Sequence, residues 1–111
     1  MGWDAFAGLR DSHKAEFQAA ANRVTEKCGG VDPCLQNGYL DFSRCGQELE
    51  NATGCSVYDQ DGWPAEKVKR LAGCAVWLDD EIGEDDIWAL ESAREFLDTC
   101  AAIDSGISFS F

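Results

Sequence analysis

No stretch of this 111-residue chain approaches the run of about 18 apolar residues that a membrane-spanning helix needs, so insertion into a bilayer is not expected. The amino end, MGWDAFAGLRD, has neither the basic nor the apolar segment of a signal peptide, so an intact secretory precursor is not expected either. Low-complexity stretches are missing. Cations are scarce: nine Lys and Arg stand against 21 Asp and Glu, giving a formal charge of −12. Such a surplus repels nucleic acid and anionic lipid and permits a cationic partner. Gly29-Gly30 is followed by Val31-Asp32-Pro33 with no lysine at Walker spacing, which argues against a phosphate loop. Among the six cysteines there is no CxxC, and only one histidine accompanies them, which disfavours a zinc or iron–sulfur cage. No cofactor is expected.

What remains is enough to fold. Hydrophobic residues make up 45% of the chain and 12 residues are aromatic, which excludes a disordered class. The length fits a single domain spanning residues 1–111. Cys28, Cys34, Cys45, Cys55, Cys74 and Cys100 form an even set spread over a small chain, the arithmetic of an extracytoplasmic disulfide framework. That predicts three bridges and a secreted or periplasmic mature form lacking its signal peptide. The alternative is a reduced protein with small buried thiols.

Helical periodicity dominates the apolar pattern. Phe6, Leu9, Phe17, Ala20, Ala21, Val24 and Cys28 recur at steps of three and four and predict one helix from about Asp4 to Cys28, stopped by Gly29-Gly30. Asp32 and Pro33 predict a capped turn, and Asn37-Gly38 a helix terminus rather than a hairpin. Phe42, Cys45, Leu49 and Ala52 mark a second helix ended by Gly54. Pro64 opens a third, buried through Val68, Leu71, Ala72, Ala75 and Leu78 and broken by Gly83. A last helix runs from about Glu84 to Asp104 on Ile87, Leu90, Ala93, Leu97, Cys100 and Ala101. The alternating tail from Ile107 to Phe111 reads as a short strand or a docked apolar strip. The expected fold class is therefore all-α, an irregular bundle of three to five helices stapled by disulfides.

Charge is uneven along the chain. Residues 1–70 carry 11 acids and 8 bases, whereas residues 71–111 carry 10 acids and Arg94 alone, a balance of −9. Asp79, Asp80, Glu81, Glu84, Asp85 and Asp86 place six carboxylates in eight positions. Trp77 and Trp88 flank them, off the main apolar arcs, and with Phe96 suggest partly exposed anchors inside an acidic rim. A solvated helix terminus is the plainer reading of the same charge. Calcium fits poorly, because EF-hand counting puts Leu78 or Val57 at the first loop position, where an acid is required.

Catalytic signals are weaker. His13 lies among Phe6, Leu9 and Phe17, and Ser12 beside it does not share its helix face. Asp59 and Asp61 form a possible carboxylate pair with no stated separation. Asn51-Ala52-Thr53 satisfies the glycosylation sequon. The expected function is a secreted acidic binding protein, an effector, ligand or inhibitor, that meets a basic protein surface through Trp77, the acidic segment and Trp88. Three alternatives stand beside it. One is an immunity-type inhibitor of a cationic enzyme, one a small hydrolase using His13 or a carboxylate pair, and one a carrier of an apolar ligand.

Overall fold

Alternation of buried and half-buried side chains begins at once: Asp4–Ala7 is a strand, β1, with Ala5 and Ala7 fully buried. The computed structural model describes residues 4–29, 35–41, 43–58, 61–77 and 87–110, with backbone alone for Asp41, Ser43 and Arg44. After β1, a 3-10 turn at Arg10–Ser12 leads into helix α1, Lys14–Cys28. A second 3-10 turn, Leu35–Asn37, precedes strand β2, Tyr39–Asp41. Helices α2 (Ser43–Thr53), α3 (Ala65–Cys74) and α4 (Ile87–Ala102) follow, and strand β3, Ile107–Ser110, ends the sequence of elements.

The described residues thus form a mixed α/β fold with a three-stranded antiparallel sheet and four helices, which corrects the all-α bundle. The strand order is β2-β1-β3. In β1, Asp4, Ala5 and Phe6 pair with Asp41, Leu40 and Tyr39, and on its other side Asp4 to Ala7 pair with Ser110 back to Ile107. The continuous helix expected from Asp4 fails for a physical reason. Gly8 interrupts it, and the first four residues gain two ladders of backbone hydrogen bonds that an isolated helix end cannot offer. The tail read as a strand or docked strip is a strand, β3.

One face of the sheet is the floor of the core. Ala5, Ala7, Leu40 and Ile107 are buried there, and Trp63 stands edge-on against Phe109 at 4.9 Å. Trp63 also exchanges two backbone hydrogen bonds of 2.8 Å with Ile107, fixing the chain before α3 to the sheet. Over this floor lies α4, which packs on α1, α2 and α3. Its buried residues, from Ala89 to Cys100, occupy nearly every side of the helix, as expected of a central one. By contrast, α1 buries only Phe17, Ala20, Ala21 and Val24, a single stripe, and Phe17 meets Phe96 of α4 at 6.2 Å. Gly29 closes α1 in the left-handed conformation at φ +72°, its N–H donating to the Thr25 carbonyl at 2.8 Å.

The disulfide framework is the second correction. No disulfide is present among the described residues. A bridge needs Cα atoms within about 7 Å and converging Cβ bonds, and an even cysteine count guarantees neither. Instead Cys45 and Cys100 are fully buried in the core, where a thiol acts as a small apolar filler. Cys28 and Cys55 are half-buried at its margin, and Cys74 is exposed, its Sγ donating to the Arg70 carbonyl at 3.1 Å. Cys34 lies outside the described residues. Burial pushes the Cys100 thiol well above its ordinary range. Burial also raises Cys28, followed by the nearby Glu91 carboxylate, with Lys27 opposing.

Two outcomes follow from this packing. Alkylation of the folded protein with iodoacetamide is expected to label Cys74 before the other described cysteines and Cys100 only after unfolding, read by peptide mass spectrometry. Gly62 has φ +72°, and a Cβ there would lie 2.6 Å from the Ile107 carbonyl oxygen. G62A is accordingly expected to cost about 2 kcal/mol or more in urea unfolding, because strain and a backbone clash coincide.

Candidate functional site

Helices α1 and α4 pack through their apolar sides and leave a shallow groove of about 350 Å³ along their outer margin. Glu16, Ala19 and Arg23, spaced at i, i+3 and i+7, present one face of α1 to it. Asp98, Thr99 and Ala102 of α4, with Ile103 just beyond, form the opposite side. The floor is small and apolar, and the polar groups stand along the helix faces.

Glu16 is the third residue of α1, and His13 occupies the position before its first turn. The His13 imidazole nitrogen Nδ1 lies 3.3 Å from Glu16 Oε1. Hydrogen bonding to its own backbone amide at the helix start, and then the His13 ring, hold the Glu16 carboxyl below its ordinary range. Across the groove Asp98 is shifted the other way. Desolvation raises it most and Glu95 adds to that, while Arg94 and Arg23 pull it down without cancelling the rise. Arg23 is already engaged, its Nε donating to Glu95 Oε1 at 2.9 Å. Thr99 is 6% exposed, and its buried hydroxyl has no hydrogen-bond partner.

The residues singled out from sequence are dispersed. Asp79, Asp80, Glu81, Glu84, Asp85 and Asp86 lie outside the described residues. Trp77 and Trp88, which flank them, are half-buried and packed against the core. Phe96 is fully buried and is no surface anchor. Asn51 is exposed at the end of α2, its Oδ1 accepting from Gln47 Nε2 at 2.9 Å. In the same sequon the Thr53 hydroxyl donates to the Leu49 carbonyl. Asp61 is exposed, and Asp59, its expected partner, lies outside the described residues. Ser12 donates its hydroxyl to the Leu9 carbonyl rather than to His13. Among the described residues no three His, Cys, Asp or Glu side chains gather as metal ligands, and no helix is long and apolar enough to cross a membrane.

The groove did not stand out in the sequence because its residues flank the apolar stripes rather than belonging to them. The available signal was the small-residue runs Ala19-Ala20-Ala21 on α1 and Ala101-Ala102 on α4, whose outer members Ala19 and Ala102 the fold leaves exposed. Small residues beside a packing seam leave space.

No protein-family model, curated protein or solved structure matches the chain.

The shifted aspartate generates a pH-dependent expectation. Because folding raises its pKa, ionised Asp98 disfavours the native state. That penalty is absent below the carboxyl's ordinary range and grows as pH rises through and beyond it. D98N is expected to raise stability at pH 7 by roughly 0.5 kcal/mol or less, since the side chain is exposed and screened, with no gain near pH 3. Parallel denaturant titrations of the two proteins at both pH values measure this.

Proposed function

We propose that this protein is a binding module that engages a basic protein surface through its acidic carboxyl-terminal third. The observation that carries the reading is the charge balance: −12 for the chain, of which residues 71–111 supply −9. The pattern of ion pairs supports it. Arg23 binds Glu95, Lys27 binds Glu91 at 2.8 Å and Lys69 binds Asp104, so three cations are spent on acids of α4 and the turn beyond it. Each such pair removes one charge of each sign and leaves the surplus intact. Of the other acids of residues 71–111, Asp98 stands outside these three pairs, and the six between Asp79 and Asp86 lie outside the described residues. A surplus concentrated in one segment steers a cationic partner and rejects an anionic one.

Export formed part of the expectation through cross-linked cysteines. With thiols at the described positions that support falls away, and the binding reading does not depend on compartment. The hydrolase alternative gains nothing from Ser12, whose hydroxyl is held by Leu9.

A lysine 20-mer serves as the test probe. The protein is expected to bind it with an affinity that falls steeply as salt rises. Neutralising the segment as D79N/D80N/E81Q/E84Q/D85N/D86N should weaken binding about ten-fold or more. Equal affinity of the two proteins in isothermal titration would refute the role of the segment.

A further inference from the structure

The groove between α1 and α4 has a chemistry that the overall charge does not describe. Ala19, Ala102 and Ile103 give it apolar surface, and a carboxylate stands on each side, Glu16 on α1 and Asp98 on α4. The cation that lines it, Arg23, is bound to Glu95. We propose that this groove receives a lysine or arginine side chain of a basic protein partner, its aliphatic stem lying on Ala19, Ala102 and Ile103 and its cationic head between Glu16 and Asp98. The inference rests on the binding function proposed above and names an anchor point for it.

Four features favour that occupant. An apolar floor with charged walls suits a side chain that is itself apolar along its stem and charged at its tip. The volume, about 350 Å³, sits at the small end of the range of about 300–1,000 Å³ for small-ligand sites, enough for one long side chain. Asp98 lines the groove with its side chain exposed: Arg94 and Arg23 act on it, yet partial desolvation and Glu95 outweigh them. An incoming cation would supply what these two arginines do not. Finally, Thr99 lines the groove and its buried hydroxyl has no hydrogen-bond partner among the described residues, so a guanidinium or ammonium N–H would satisfy it once χ1 turns to another rotamer. An anionic side chain would add a further negative charge beside Glu16 and Asp98. Glu16, lowered by its amide and by His13, stays ionised across the neutral range and supplies the fixed negative charge.

The test is a ¹H–¹⁵N NMR titration of the full chain with tetra-arginine amide, repeated with the neutral tetra-citrulline amide. Saturable shifts are expected at Ala19, Asp98, Thr99, Ala102 and Ile103 with the first peptide and not with the second. Two variants are compared. E16Q/D98N removes both charges at nearly constant shape, and A19L fills the floor with a residue that α1 tolerates. Each is expected to weaken tetra-arginine binding about five-fold while keeping the native spectral dispersion. Shifts confined to residues 79–86, with unchanged affinity in both variants, would overturn the groove and leave the acidic-segment reading standing. No saturable shift anywhere would overturn both.

Discussion

The fold depends on one strand being paired on both edges. Strand β1 is only four residues long and half of it is alanine, a composition with little strand preference of its own. It is held because Tyr39–Asp41 pairs with it on one side and Ile107–Ser110 on the other. Everything beneath follows from that placement. The inward Ala5 and Ala7 have no bulk, so the helices approach the sheet closely. Ile107 and Leu40 beside them, with Trp63 pinned to Ile107, supply the volume that the alanines lack. Ser105 then locks the corner from which β3 departs: its hydroxyl accepts the Leu9 N–H at 3.1 Å and donates to the Gly106 carbonyl.

This explains which parts of the structure were legible in the sequence. α1, α2, α3 and α4 follow from apolar residues at three and four, although α3 stops at Cys74 with Ala75 already extended rather than continuing toward Gly83, and Gly29 and Gly54 end their helices in the left-handed conformation. Ile107-Ser108-Phe109-Ser110 alternates as a strand does, with Ile107 buried and Ser108 exposed. β1 was hidden because its neighbours mimic helix spacing: Phe6, Leu9 and Phe17 continue the pattern of α1 backwards across Gly8. What decides its conformation is pairing with residues about 35 positions away on one edge and about a hundred on the other, which no local window contains. β2 was hidden by brevity, three residues after Gly38.

The cysteines teach a related lesson. Spacing along the chain carried an expectation about bridges, but the environment of each sulfur is set by packing. Cys100 falls on the interior of the central helix, Cys45 in the core beside Leu49, and Cys74 at the exposed end of α3. The candidate site shows the same dependence. Glu16 and Asp98 are more than eighty residues apart, and only the contact of α1 with α4 places them around one groove. Their charges were countable from the outset, whereas their juxtaposition was not. α4 also carries a buried acid, Glu91, that the core tolerates because Lys27 reaches it at 2.8 Å.

The position of β3 has a consequence for the order of assembly. Asp4 faces Ser110, so joining β1 to β3 closes a loop containing nearly all the chain, an entropic cost repaid only when the intervening helices have shortened the distance. Helical contacts that are local, such as those within α3 and α4, carry no such delay. Joining β3 to β1 is therefore expected late in folding, whereas β1 and β2 lie within about 40 residues of each other and carry a smaller closure cost. An unpaired β1 edge would invite pairing with a second copy, and the −12 charge carried by each chain opposes that encounter.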